Sequence, residues 1–148
     1  MIRIEKAVFT DEVVARLIEL SKVWEAEQCT FGLEPNERED LREPCFLAYD
    51  GDLIVGYVFG HFYEEEAKHA FSHKGDRMFD VDELYVIREY RSQGVGKMLF
   101  EAMEKEVGDQ VDAITLATPT KDWHRILKFY IEEMGMTFYN AFLFKKTR

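Results

Sequence analysis

Apolar positions along this chain change their period several times, and each change marks the edge of an element. Residues 1 to 9 place Ile2, Ile4 and Ala7 between polar or charged neighbours, the two-residue period of a strand covered on one face. From Thr10 the period lengthens. Val13, Val14, Leu17, Ile18, Leu20 and Trp24 recur at helical spacing to about Gln28, with Thr10 suited to cap the helix and Asp11 and Glu12 in its first turn. Periodicity is lost over residues 29 to 44, where Gly32, Pro35 and Asn36 predict a turn and residues 36 to 41 a short polar helix.

Two β-rich runs follow, residues 45 to 49 and 53 to 63, flanking Asp50-Gly51-Asp52. An Asp-Gly pair between such runs predicts an antiparallel hairpin. Residues 64 to 76 form a polar connection with His69 and His73, and residues 78 to 87 return to strand character. Val95, Met98, Leu99, Ala102 and Met103 then set out a helix, residues 111 to 118 a strand, and Trp123, Ile126, Leu127, Tyr130 and Met134 a last helix over about 121 to 134, stopped by Gly135. Residues 136 to 139 and 141 to 146, joined through Asn140, predict a terminal hairpin. A strand, helix, strand order with this crossover implies parallel or locally splayed neighbours joined right-handedly.

Length and charge narrow the classes. A chain of 148 residues, 47% of them apolar and evenly spread, is read as a single domain over 1–148 with an adequate core. The strongest apolar run, residues 53 to 62, is too short to span a bilayer as a helix, and the N-terminus lacks the regions of a signal peptide, so no membrane partner and a cytoplasmic location are expected. Cys29 and Cys45 have neither metal spacing nor secretory context, which leaves reduced thiols as the default; with His61, His69 and His73 in no recognisable ligand pattern, no metal is expected. A formal net charge of −10 argues against a nucleic-acid partner and is compatible with a cationic substrate.

Chemistry is concentrated between Asp82 and Val107, which reads as strand, glycine loop, helix. A helix that opens on glycines directs unpaired N–H groups and the positive end of its dipole at one small volume, where a phosphate is stabilised, and the absence of side chains at Gly94 and Gly96 lets an anion approach the backbone. Two phosphate loops are excluded. A dinucleotide fingerprint would need a small residue where Leu99 stands and its first glycine directly after the strand; a nucleoside-triphosphate loop would need glycine at Arg91 and Ser or Thr at Met98.

The pattern Arg91-x-x-Gly94-x-Gly96, entered from Leu84-Tyr85-Val86 through Ile87-Arg88-Glu89-Tyr90, resembles the acetyl-coenzyme A signature of the GNAT N-acetyltransferases. The resemblance implies an α/β (α+β) fold: a mixed, mostly antiparallel sheet of 6–7 strands flanked by about four helices, with a splayed parallel strand pair at the coenzyme site. It also implies acetyl-CoA as cosubstrate, its pyrophosphate held by the loop of Arg91, Ser92, Gln93, Gly94, Val95, Gly96 and Lys97 and its pantetheine arm by the strand Leu84, Tyr85, Val86. The reaction implied is acetyl transfer to a primary amine of a small molecule (polyamine, aminoglycoside-like compound or amino-acid derivative) or of a peptide. A non-catalytic acyl-CoA binding or sensing module is the alternative.

Such a transfer needs an acceptor for the amine proton and a donor to the departing thiolate. Strand alternation puts Asp82 and Leu84 on one face and Glu83 and Tyr85 on the other, so only one of the two carboxylates can face the cleft. By analogy with the family, Glu83 is the expected base, with Asp82 in reserve. For the acid, Tyr130 resembles the tyrosine that faces the coenzyme sulfur, although it stands five residues before Gly135 where the family's stands four, and Ile131 holds the usual place. One extra residue turns a helix by about a quarter turn, so either the helix end is adjusted or Tyr130 is displaced, with His124 the other candidate proton carrier. Phe31, Glu34, Glu37 and Glu39 are candidate contacts on the acceptor side, and Phe138-Tyr139 and Phe142 offer a contact for a homodimer.

Overall fold

The computed structural model describes residues 1–148. In chain order it contains β1 (Ile2–Lys6), α1 (Asp11–Ala26), β2 (Cys45–Asp50), β3 (Leu53–Glu64), β4 (Arg77–Val86), α2 (Val95–Val107), β5 (Ala113–Thr115) and α3 (Trp123–Lys128), with single 3-10 turns at Arg38–Asp40 and Arg88–Tyr90 and a π-helical turn at Phe129–Glu133. The strands form one sheet in the order β1-β2-β3-β4-β5, antiparallel up to β4 and parallel between β4 and β5. No helix is long and apolar enough to cross a membrane.

Most of these elements follow from local rules. The Thr10 hydroxyl accepts from the Val13 N–H at 3.2 Å, a cap worth about 1 kcal/mol. Gly51 sits at φ 61 in the turn between β2 and β3, the left-handed conformation glycine adopts without penalty. The sheet has a core on each face. On one, Leu17 and Leu20 of α1 pack with Cys45, Leu47, Tyr57, Phe59 and Tyr85. On the other, Val95, Leu99, Phe100, Met103 and Val107 of α2 pack with Ala48, Val55, Val58, Phe79, Val81 and Val86. Each of those α2 side chains is worth roughly 1.5–3 kcal/mol when fully buried. The buried stripe of α2 runs through Phe100 and Val107, and Met98, assigned to it by spacing, is 39% exposed.

Three expectations are corrected. The sheet has five strands, fewer than the 6–7 implied, because residues 137 to 148 form no hairpin and make no backbone hydrogen bond, and the chain has three α-helices where about four were implied. The strand expected over residues 111 to 118 is ordered into the ladder only at Ala113–Thr115. Strict alternation also fails in β4. Phe59 pairs with Glu83 but Gly60 pairs with Val81, so Asp82 is an extra, unpaired residue, a β-bulge.

The bulge has a visible cause in Gly60. A Cβ there would lie 2.1 Å from the Asp80 carbonyl oxygen and 2.7 Å from the Phe79 ring, so only glycine lets β4 come this close. Before the bulge Phe79 and Val81 face α2; after it Leu84 and Val86 do. Asp82 and Glu83 therefore point to the same face, toward α1, where sequence alternation had separated them.

Candidate active site

The parallel ladder between β4 and β5 is three residues long, Met78 to Asp80 against Ala113 to Thr115. Beyond it the strands part, and the gap between residues 81 to 86 and 116 to 120 is a cleft of about 490 Å³. One end is closed by the segment after α1. Phe31 N–H donates to Pro119 O at 2.9 Å, Lys121 N–H to Cys29 O at 2.8 Å, and Thr30 bridges Thr120. The other end opens on the glycine loop and the start of α2.

Of the residues expected at the coenzyme site, Leu84, Tyr85, Val86, Arg91, Ser92, Gly94, Val95, Gly96 and Lys97 all line this cleft. Gly94 caps α2 at φ 83, and Met98 N–H, bonded to Gly94 O at 3.0 Å, is the first intrahelical donor. The amides of Val95, Gly96 and Lys97 ahead of it make no backbone hydrogen bond, the donor set a diphosphate requires. A Cβ at Gly94 would meet nothing within 4 Å, so its backbone conformation requires glycine, whereas one at Gly96 would touch the Phe129 ring at 3.5 Å. Gln93 does not line the cleft; its side-chain amide donates to Glu89 O at 3.1 Å.

Arg91 lines the cleft, and two nitrogens of its guanidinium are committed within the fold. Nε donates to Val86 O at 2.9 Å and Nη2 to both oxygens of Glu27, at 2.7 and 3.0 Å, while the Tyr85 hydroxyl donates to the same carboxylate. This fastens the end of α1 to the glycine loop and holds the Tyr85 ring against Trp24, stacked with centroids 5.0 Å apart. Burial, then the Glu27 carboxylate, holds the Tyr85 phenol above its ordinary range. Nothing in the spacing of Glu27 and Arg91, 64 positions apart, could have announced the pair.

Glu83 reaches the cleft wall and is held there by two donors. Its Oε1 accepts from the Tyr57 hydroxyl at 2.7 Å and from Asn36 Nδ2 at 3.0 Å, which leaves Oε2 without a protein partner. Asn36 is itself positioned by its N–H bond to Ser21 Oγ at 2.8 Å. Burial raises the Glu83 carboxyl above the usual carboxylate range; the two donors pull it back, and the charges of Asp82 and Asp40 raise it. Burial likewise holds the Tyr57 phenol well above its ordinary value.

Asp82, the reserve candidate, lines the cleft beside Glu83 but is engaged by His61, whose Nδ1 lies 2.9 Å from Oδ1, with Arg42 at 3.9 Å. The donor atoms of His61, Asp80 and Asp82 lie within 4.8 Å of one another, a grouping that only the register of β3 against β4 creates. His69 and His73 are apart from it in the 65–76 connection, which is organised around buried Glu65: Ser72 Oγ donates to its Oε2 at 3.1 Å.

Tyr130 also lines the cleft, and the way it does so resolves its spacing. Met134 N–H donates to Phe129 O at 3.0 Å, a bond across five residues, and past Gly135, whose φ of 73 ends the helix, Met136 N–H donates back to Tyr130 O at 2.9 Å. The π-turn takes up the one extra residue locally. Phe100 and Phe129 pack edge-on against the Tyr130 ring, at 6.1 and 5.0 Å, and burial pushes its phenol up to about 12. His124 is exposed, stacked on an exposed Trp123 at 3.6 Å and outside the cleft. Phe31 lines the cleft; Glu34, Glu37 and Glu39 do not.

A mixed sheet that splits at a parallel pair, with free amides of a helix at the split, defines the acetyl-CoA-dependent N-acetyltransferase class. The chain belongs to the Acetyltransferase (GNAT) family, whose sequence model matches residues 10–136. Solved structures share the fold. A putative acetyl transferase from Pyrococcus furiosus superposes with a TM-score of 0.72 at 16% identity, covering 99% of each chain. An aminoglycoside acetyltransferase from an uncultured soil metagenomic sample gives 0.70 at 18% identity, over 99% of this chain and 96% of that one. A predicted acetyltransferase from Clostridium acetobutylicum, solved with acetyl-CoA, gives 0.68 at 15% identity, over 99% and 96%. No curated protein sequence is detectably similar.

Proposed function

We propose that this chain transfers the acetyl group of acetyl-CoA to a primary amine of a small, cationic acceptor, with Glu83 as the base and Tyr130 as the acid. The observation that carries this reading is the meeting of the two in one cleft. Glu83 comes from β4 and Tyr130 from the helix packed on the opposite face of the sheet, and between them lies the gap that leads to the free amides of α2.

Acetyl-CoA, when bound, supplies an activated carbonyl and a thiolate leaving group. The amides of Val95, Gly96 and Lys97 would hold its diphosphate, and the separated edge of Leu84, Tyr85 and Val86 would pair with its amide-bearing arm. Arg91 acts as a fastener of the loop through Nε and Nη2, on Val86 and Glu27, and its Nη1 donors stay open toward the cleft side. An alkylamine with a pKa of about 10 arrives protonated, and Oε2 of Glu83 is placed to take its proton. A carboxyl raised by burial is a better acceptor of that proton than an exposed one. Burial keeps the Tyr130 phenol protonated throughout the neutral range, so its proton is in place for the departing thiolate. Trp24, Phe31 and Tyr85 give the acceptor side an aromatic wall, and Asp82 beside Glu83 makes it acidic, which favours a cationic amine.

The test is a thiol-release screen of acetyl-CoA against polyamines, aminoglycosides, amino-acid amides and peptide N-termini, run beside calorimetric titration with coenzyme A. Turnover with at least one amine is the expected result. Coenzyme binding without turnover on any acceptor would instead favour the sensing module, and no binding at all would remove both.

A further inference from the structure

The ladder between β4 and β5 covers three residue pairs, and past Asp80 and Thr115 no strand hydrogen bond joins the two walls of the cleft. Glu83 stands on the β4 wall, and the other wall runs on through residues 116 to 120 into α3 and the turn that carries Tyr130. The sheet by itself therefore leaves the separation of base and acid open. What crosses between the walls is the segment after α1.

Residues 27 to 36 leave the β4 wall and come back to it. Glu27 is bonded by Tyr85 and Arg91 at one foot, and at the other Asn36 donates from Nδ2 to Glu83 and from its N–H to the buried hydroxyl of Ser21. Between these feet the chain hooks onto the other wall. Phe31 N–H donates to Pro119 O, Lys121 N–H donates to Cys29 O, and the Lys121 ammonium lies 5.0 Å over the Phe31 ring. The reversals use left-handed backbone at Gln28, φ 55, and Gly32, φ 68. From Phe31 back to Asn36 an extended chain spans at most about 18 Å, so even without regular structure this arm limits how far the walls can part.

We propose that residues 27–36 are a clasp that sets the distance between base and acid, with Thr30 and Asn36 as positioning residues. The proposal rests on the reading of Glu83 and Tyr130 as the proton carriers. An open clasp leaves both side chains intact but moves them apart, and a misplacement of about 1 Å costs about 10²-fold in rate. Unlike a lid, the clasp stays fastened throughout turnover.

Thr30 and Thr120 are the pair that the two backbone bonds flank, a position where the Cα atoms of antiparallel chains come within about 4.5 Å and a disulfide fits. The experiment makes Thr30→Cys/Thr120→Cys in a Cys29→Ser background and follows thioester loss from acetyl-CoA with the most active amine of the screen above. Oxidised and reduced protein should turn over within about twofold of each other, since the cross-link only fixes a fastened clasp. Lys121→Pro deletes one bond of the clasp and should lower kcat by about 10²-fold with a smaller change in KM, and the cross-link should restore it. Hydrogen exchange at Ala113–Thr115 gives a reading independent of turnover: faster in Lys121→Pro, and slowed again by the cross-link. A cross-link that stops turnover would make the segment a lid and overturn the proposal. A Lys121→Pro protein with full kcat, or one whose loss the cross-link leaves in place, would overturn it as well. Full activity of both Glu83→Gln and Tyr130→Phe would fell the underlying reading instead, a result told apart because the exchange rates still follow the clasp.

Discussion

Two borders of the cleft each contain one residue more than regular geometry accommodates, and they absorb it differently. In β4 the extra residue is Asp82, and its insertion places two carboxylates side by side on one face of the sheet. In the last helix the extra residue widens one turn from α to π, and the apolar stripe on either side keeps its place against α2: Tyr130 and Met134 both pack on the same core. The Glu83 carboxyl is raised first by burial, and the strand's insertion adds the charge of Asp82 beside it. The helix's insertion adds no charge, and the Tyr130 phenol is raised by burial alone. An added residue in a period of two changes which side chains are neighbours, whereas in a period near four it shifts them by a fraction of a turn.

That contrast can be broken at its chemical centre first. Glu83→Gln keeps the bonds from Tyr57 and Asn36 but cannot take a proton, and kcat/KM with the preferred amine should fall by about 10²–10⁴-fold. The same variant should flatten a pH dependence of stability. Because the folded-state carboxyl is raised, its contribution is fully present below the unfolded pKa of about 4.3 and is lost as pH rises through the folded value. Urea melts of the two proteins at pH 4 and pH 8 would show it, and an unchanged slope would remove the buried-acid reading.

Tyr130→Phe comes next, with an expected loss in kcat of about 10²-fold and little change in coenzyme affinity. With the phenol near 12, the wild-type rate should show no descending limb from this group below pH 10. Gly60→Ala attacks the bulge itself. The added methyl meets the Asp80 carbonyl, and the cost should be about 1–3 kcal/mol or more in chemical denaturation, accompanied by loss of activity.

The smallest effects are also the most diagnostic, because their signs are opposed. Tyr57→Phe removes a donor that stabilises the Glu83 carboxylate and should move the acidic limb of kcat/KM to higher pH, at a stability cost of about 1–3 kcal/mol. Asp82→Asn removes a neighbouring negative charge and should move that limb to lower pH, with only a small change in rate at the plateau. Shifts in the same direction would show that the limb does not belong to Glu83.

Much of the architecture was legible locally. The Thr10 cap, the Asp-Gly hairpin and the Gly94 helix opening each depend on residues within a few positions of one another, and each formed where the pattern placed it. The displacement of Tyr130 by one residue was also visible, as a miscount against Gly135, although not how the helix would absorb it. Asp82 and Glu83 were misassigned because alternation is a rule about an unbroken strand, and the break is made by Gly60 on the strand next door.

By itself, then, the order of residues determined the elements up to the last helix and the glycine opening of α2, since these rest on local periodicity and backbone conformation. Tertiary structure alone decided that Asn36, Tyr57 and Glu83 form one network, that Arg91 pairs with Glu27, and that the terminal apolar segment lies outside the sheet. Those outcomes depend on strand register and on contacts between positions tens of residues apart, where the free energy of a pairing is set by whatever else must be buried with it.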